Sequence, residues 1–360
     1  MARQCPDTTT LLHNPAFWAM RSFELLIAIV TVAANVVIAI VSLDAMGLSR
    51  KLRRLFSIMS LNYAFLAGYI MSRSVHSLFA VYDNCLPLTT LMGCKLQESP
   101  LVFAYVHCGV ISLAVVFERV TARIDQRLNQ RIGCDTVCSL WQTATVVISL
   151  IATVFFFGAD NGGRKLMPAC SLLLAIETPL VKLCLVTALI ALQALTIAAL
   201  FIVGCCQQTS TSYPPQLIRL HISLCVRNTL AYEALLWGIC LCLTGVALLY
   251  DMFSAEDCFI CSFFSYECIF TGIPLTIAFC HPFLTVWYMD AIRYQLIKLC
   301  ACIELFLPRQ LLSQTTPITS SNLSFRTSCA SEYLDITIEK PADGLTDSSG
   351  AWRVTEKTLK

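Results

Sequence analysis

The sequence predicts an all-α membrane protein, a seven-transmembrane helix bundle with its N-terminus outside the membrane. The first observation is composition: the 360 residues are 57% hydrophobic and 13% charged, whereas soluble domains carry roughly 25% charged residues. The second is that the apolar residues form long runs, and a helix needs about 20 such residues to cross the ~30 Å hydrocarbon layer. The alternating segments of about ten residues that a membrane barrel requires are not visible. The hydrophobic surface is therefore expected to face lipid.

Seven apolar runs are long enough to be spans. They lie at about 23–45, 55–79, 98–120, 137–158, 179–204, 229–250 and 263–289. The first run follows a polar stretch, is as long as a true span and lacks a clear small-residue cleavage site. We therefore expect it to be a transmembrane helix rather than a signal peptide, with residues 1–22 as an extracellular N-terminus.

Positive charge predicts the orientation of the bundle. One set of loops carries twelve Lys and Arg residues against six in the opposite set, and the richer set stays in the cytoplasm. Residues 290–307 place Ile292, Leu296 and Leu299 at helical spacing, which predicts an amphipathic helix along the inner membrane surface. Residues 308–360 are polar, rich in Ser and Thr and without periodicity, which predicts a disordered cytoplasmic tail.

The third run ends at two adjacent charges, Glu118 and Arg119. An interfacial position keeps their energetic cost below the roughly 2.5–3.5 kcal/mol of an arginine at mid-membrane. One interpretation is an ordinary anchor under the positive-inside rule. The other is a switch, in which Glu118 holds Arg119 until helix movement releases it to a cytoplasmic partner. Both remain open at this point, and Glu233 in the sixth run is a second possible partner for Arg119.

The cysteines suggest a tie between outward-facing segments. Six of the twenty cysteines face outward, where disulfides form, and six allow fifteen pairings. These six are Cys5, Cys85, Cys94, Cys170, Cys258 and Cys261. The pair we favour is Cys94 with Cys170, because it would tie the loop after the fourth span to the outer mouth of the third. Cys300 and Cys302, on the amphipathic helix, are either palmitoylation sites or small hydrophobic residues facing lipid.

Polar side chains inside the spans are candidates for ligand binding. This group comprises Arg73, His76, Tyr105, His107, Lys182, Trp237, Tyr266 and Glu267. Together they could line a cavity open to the outside, although each is equally explained by a hydrogen bond between helices. No enzyme motif, metal-ligand spacing or cofactor motif is present, and no basic tract points to nucleic acid.

The arrangement of these motifs resembles that of G-protein-coupled receptors. An outward cysteine opens the third span, an acid–arginine pair ends it, and an amphipathic helix follows the last span. Glu118-Arg119-x-x-Ala122, and the basic stretch "LSRKLRRLFSIMSLNY" after the first span, are similar to nematode chemoreceptors of the serpentine receptor class alpha group, including its ab-type. The resemblance covers roughly residues 20–304. The sequence departs from many receptors in two ways. No proline lies beside Trp237, and His281-Pro282 stands where many receptors have Asn-Pro.

The resemblance implies a multi-pass receptor of the plasma membrane that binds a small chemical and activates a heterotrimeric G protein. Coupling would use Glu118, Arg119, Ala122 and Arg123, with the basic loops 50–54 and 123–131 as partner surface. A kinase and arrestin would act on the tail, whose candidate phosphorylation sites are Thr315, Thr316, Thr319, Ser320, Ser321 and Ser324. The alternative is a polytopic transporter or ligand-gated channel, which would need a continuous polar path across the membrane.

Overall fold

A computed structural model describes the parts of the chain that form the helical bundle. These are residues 12–45, 48–79, 89–124, 134–158, 166–167, 170–176, 178–205, 214–253 and 259–306. By internal contacts, residues 1–304 form one compact unit. Residues 305–360 form the second unit, of which Leu305 and Phe306 are described as the end of the last helix.

The described chain is mostly helical. The helices are α1 Pro15–Asp44, α2 Arg50–Phe79, α3 Leu91–Ile124, α4 Cys134–Gly158, α5 Pro179–Cys205, α6 Pro214–Phe253, α7 Phe259–Glu267, α8 Ile273–Tyr288 and α9 Asp290–Phe306. A π-helical segment, Cys268–Gly272, joins α7 to α8. Two short strands, β1 Thr89–Thr90 and β2 Leu166–Met167, pair antiparallel.

Within the described residues, six helices are long and apolar enough to cross a membrane. They are Pro15–Asp44, Arg50–Phe79, Leu91–Arg119, Pro179–Ile202, Leu224–Phe253 and Ser262–Tyr288. In the fourth expected span, side chains are described from Gln142 onward, and the apolar stretch Gln142–Phe156 is shorter. The chain is therefore a candidate multi-pass membrane protein with six membrane-competent helices, while the seventh span and the orientation stay predictions.

Several helices extend further than their apolar runs, and the largest differences are at the starts of α1 and α6. α1 begins at Pro15, where Asn14 accepts a hydrogen bond from the Ala16 backbone N–H at 3.0 Å and proline fits the first turn. α6 begins at Pro214, well before the predicted start at residue 229. Both extensions carry polar residues that hydropathy alone leaves outside the spans.

Helix α3 occupies the centre of the bundle. It contacts α2, α4, α5 and α6, and 72% of its most apolar stretch is buried, against 28% for α5 and for α6. Helix α8 contacts α1, α2 and α6 and so closes the bundle. The apolar surface left exposed on α5 and α6 is what lipid-facing helices require.

Helix prolines leave carbonyl groups that side chains satisfy. Proline has no N–H for the carbonyl four residues earlier. Asn35 Nδ2 donates to the Ala278 carbonyl at 2.9 Å, four residues before Pro282. The Tyr105 hydroxyl donates to the Phe270 carbonyl at 2.5 Å, four residues before Pro274, in the π-helical segment. These bonds tie α1 and α3 to the last candidate span.

Candidate functional site

Hydrogen bonds to one serine connect the C-terminal part of α3 to the start of α2. Glu118 Oε2 accepts from the Arg119 guanidinium at 2.5 Å, and the two side chains are 12% and 13% exposed. The Ser49 hydroxyl donates to Glu118 Oε1 at 3.2 Å and accepts from Arg119 Nη2 at 3.3 Å. Ser49 also accepts from the Leu52 backbone N–H at 3.3 Å, which caps α2. We call Ser49, Glu118 and Arg119 the Arg119 junction.

The other residues predicted for this site are Ala122, Arg123 and Glu233. Ala122 and Arg123 belong to α3, but their side chains lie outside the described part of the chain. Glu233 is not a second partner of Arg119, because it bonds instead to Tyr63 and His281 inside the bundle. The early start of α6 explains this difference, since Glu233 lies well inside the helix rather than one turn from its end.

A buried charge cluster occupies the opposite end of the bundle. Arg73 donates to Glu98 at 3.2 Å and to Glu267 at 2.5 Å. Arg21 donates to Glu24 at 2.7 Å and to Glu267 at 3.0 Å. All five residues are at most 4% exposed. The five form what we call the Glu267 cluster, and they join α1, α2, α3 and α7.

The Glu267 cluster changes the interpretation of two ligand candidates. Arg73 and Glu267 bind each other, and a buried charge left without its partner is strongly unfavourable. Their ion pairs therefore give them a structural role in holding helices together. The sequence signal for the missed members was the placement of Arg21, Glu24 and Glu98 at the ends of apolar runs, where charges need partners.

Two other ligand candidates meet around a small apolar cavity. The Tyr105 ring packs edge-on against Trp237 at 5.4 Å between centroids. The cavity is closed in this structure, with no room for a water molecule, and is lined by Val102, Tyr105, Val106, Leu172, Leu185, Leu189 and Phe270. Leu172 belongs to the loop that carries Cys170. The cavity is thus covered by the segment expected to fold over the bundle.

The remaining candidates lie elsewhere. His107 stacks on Phe103 and its Nε2 lies 3.4 Å from the Thr145 hydroxyl, between α3 and α4. The Lys182 ammonium lies 5.6 Å from the centre of the Tyr266 ring. His76 is exposed in the last turn of α2. Among the described residues, the eight candidates therefore do not share one cavity.

The outer loop is bonded to the start of α3. The sulfur atoms of Cys94 and Cys170 lie 2.01 Å apart, with their Cα atoms 5.3 Å apart. This is the pair favoured from the sequence, and the side chains of the other four outward cysteines lie outside the described residues. Cys300 is exposed on α9. The side chain of Cys302 and the Ser and Thr residues of the tail lie outside what the structure describes.

A third polar group lies in the middle of the bundle. His281 Nδ1 lies 2.5 Å from Glu233 Oε1, and its Nε2 lies 2.9 Å from the Ser60 hydroxyl. The Tyr63 hydroxyl donates to Glu233 Oε2 at 3.3 Å and accepts from Trp237 Nε1 at 3.2 Å. We call these five residues the His281 network. It joins α2, α6 and α8, and Trp237 connects it to Tyr105 at the cavity.

Comparison with known proteins identifies a similar nematode protein. No protein-family model matches the chain. The uncharacterized protein T09B9.5 of Caenorhabditis elegans is 27% identical over 314 residues, which cover 87% of this chain and 85% of that protein. The chain is thus similar to a nematode protein over nearly its whole length, and its own helices make it a candidate multi-pass membrane protein.

Proposed function

We propose that this protein is a G-protein-coupled receptor of the plasma membrane, chemosensory in function, with seven spans. The observation that carries the proposal is the Arg119 junction, where the candidate span of the central helix ends in an arginine held by an acid and by the serine that precedes α2. The resemblance of Glu118-Arg119-x-x-Ala122 to nematode chemoreceptors supports it, as does the similarity to a nematode protein.

The contacts of Arg119 suit a switch because they can be exchanged. Glu118 and Arg119 are partly exposed, so water and a partner can reach both groups. Because neither group is fully buried, opening this ion pair costs less free energy than opening a buried one. Arg119 can therefore leave Glu118 for a carbonyl or carboxylate group of a G protein without leaving a buried charge unpaired.

A connected set of contacts leads from the apolar cavity into the bundle. Tyr105 lines the cavity and packs on Trp237, and Trp237 donates to Tyr63 in the His281 network. We propose that a small ligand acts here by opening the closed cavity. It would change the equilibrium between two helix arrangements by as much as its affinity differs between them.

Replacing Arg119 with alanine tests the proposal. In cells expressing the full chain with a panel of G proteins and small chemicals, we expect Arg119→Ala to abolish ligand-stimulated nucleotide exchange while surface expression is kept. Arg293→Ala is the matched control, because Arg293 pairs with Asp290 on the exposed face of α9. Normal signalling by Arg119→Ala at equal surface level would contradict the switch.

The alternative class has its own measurement. A transporter or channel needs a polar path, whereas the cavity described above has an apolar lining. Ligand-dependent flux in proteoliposomes that contain no G protein would favour the alternative over the receptor.

A further inference from the structure

Ser49 joins three different groups with one hydroxyl. The side chain is exposed, donates to Glu118, and accepts from Arg119 and from the Leu52 backbone N–H. A negative group added to this oxygen would lie beside a carboxylate and a guanidinium at the same time. Ser49 is therefore placed where a covalent modification would change the partner of Arg119.

The sequence after Ser49 is strongly basic, and reads Ser49-Arg50-Lys51-Leu52-Arg53-Arg54. Kinases that accept basic residues after the target serine bind such segments through acidic grooves, by charge complementarity. We propose that Ser49 is a phosphorylation site that controls Arg119. This inference rests on the proposed function, because it assigns a regulation to the same junction.

The modification is a phosphoryl transfer from ATP. The Ser49 oxygen attacks the γ-phosphorus, and a new P–O bond forms to the serine. The bond from the γ-phosphorus to the bridging oxygen breaks, ADP leaves with that electron pair, and the hydroxyl proton passes to the base of the kinase. No oxidation or reduction takes place.

Phosphorylation would exchange the partner of Arg119. A phosphoserine carries about −1.5 to −2 charge at pH 7 and three strong acceptor oxygens. The hydroxyl that donates to Glu118 at 3.2 Å is lost, and Glu118 then faces like charge. Arg119, 3.3 Å from the same oxygen, gains a stronger partner. The phosphate therefore clamps Arg119 to the start of α2 and withholds it from a G protein.

The same contacts make the reaction dependent on the state of the receptor. While Arg119 is bonded to Glu118, both side chains are also hydrogen-bonded to the Ser49 hydroxyl. When Arg119 leaves, the hydroxyl becomes available to a kinase. The structure thus predicts that a signalling receptor is modified faster than a resting one, and that modification ends its signal.

Two variants of Ser49 test the effect of a negative charge at this position. Asp and Asn are equally good at the residue that precedes a helix, so Ser49→Asp and Ser49→Asn both keep the start of α2 and differ in charge. We expect ligand-stimulated nucleotide exchange by Ser49→Asp to be at least about fivefold weaker than by Ser49→Asn at equal surface level. Equal responses of the two variants overturn the clamp.

A second measurement does not depend on a G protein. For purified full-length protein in lipid nanodiscs, we expect Ser49→Asp to melt at a higher temperature than Ser49→Asn. With Arg119→Ala in both, we expect that difference to shrink, because the introduced carboxylate loses the guanidinium and still has Glu118 as a neighbour. An unchanged difference in the Arg119→Ala background overturns the contact with Arg119. If the protein fails to signal but its melting difference shrinks in this way, the receptor function is refuted and the contact between position 49 and Arg119 is kept.

The covalent step is tested directly with protein kinase C and ATP on the same nanodiscs. Mass spectrometry is expected to locate a phosphate on Ser49, at a rate several-fold higher in Arg119→Ala than in the parent chain. Ser49→Ala identifies the site by the loss of that phosphopeptide. Absence of phosphate on Ser49 in both chains overturns the proposal, and equal rates overturn its dependence on state.

Discussion

At the scale of single residues, the position of a charge decides what it contributes. Glu267 accepts from Arg21 and Arg73 where all three side chains are at most 3% exposed, whereas Arg293 and Asp290 pair on a surface about half exposed. Breaking a buried pair leaves an uncompensated charge, which is why such pairs are costly to open. Exposed pairs exchange their partner for water.

We therefore expect Glu267→Ala to be severely destabilising. It removes one partner from each of two buried guanidinium groups, and the loss is about 3–5 kcal/mol of unfolding free energy. The matched variant Asp290→Ala is expected to cost at most about 1 kcal/mol, because that pair is exposed and screened. Thermal unfolding of the purified chain in detergent measures both. Similar melting temperatures for the two variants would contradict the buried cluster.

The sequence predicted the positions of these charges better than their partners. Glu118 and Arg119 are adjacent, so their pairing follows from local spacing. Arg21 and Glu267 lie 246 positions apart, and no local pattern joins them. Glu233 shows the same limit, since its partner depends on where α6 begins and on the rotation of α8.

At the scale of elements, one crowded contact lies where α3 meets α5, at Gly109. A Cβ atom at Gly109 would lie 2.4 Å from Leu192 Cδ2, so a larger residue at this position would require the Leu192 side chain to move. Gly238 on α6 differs, since a Cβ atom added there would have no described neighbour within 4 Å. Gly109 thus lies in a crowded contact, whereas Gly238 has open space around it among the described residues.

Two alanine substitutions separate these roles. We expect Gly109→Ala to lower thermal stability, because the new methyl group forces Leu192 to move and overpacking costs typically about 1–3 kcal/mol. Gly238→Ala is expected to leave stability unchanged or to raise it by up to about 1 kcal/mol through helix propensity. Melting curves in the same detergent compare the two. A loss at Gly238 as large as at Gly109 would refute the packing explanation.

The helices themselves were predictable because lipid demands continuous apolar runs. The predicted runs 55–79 and 179–204 agree closely with α2 and α5. The early start of α1 was missed because hydropathy does not register Asn14-Pro15, which begins a helix through capping and backbone geometry. The π-helical segment was also missed, since it depends on Pro274 and on a hydroxyl from α3.

At the scale of the whole molecule, helix α4 determines how the chain crosses the membrane. The excess of Lys and Arg in one set of loops predicts an external N-terminus and an internal C-terminus. Six membrane-competent helices alone would place both termini on one side, and α4 as a seventh span would place them on opposite sides. The predicted orientation of the termini therefore requires α4 to span.

Glycosylation mapping decides the topology. Acceptor sites engineered near residue 10, after residue 163 and near residue 345 should carry glycans at the first two positions only, because only these face the lumen in the predicted orientation. The natural Asn322-Leu323-Ser324 sequon is the internal control and should stay unmodified. A glycan near residue 345, or none near residue 10, would refute the receptor topology.

The Glu267 cluster also constrains the order in which the protein can be made. Arg21 is synthesised early, but Glu267 follows 246 positions later, which takes roughly 10–50 s at about 5–20 residues per second. During that interval Arg21 and Arg73 lack the carboxylate that they share. Chains truncated before the last helices thus carry under-neutralised arginines at the edge of the bilayer, a form that cellular quality control can distinguish from the finished protein.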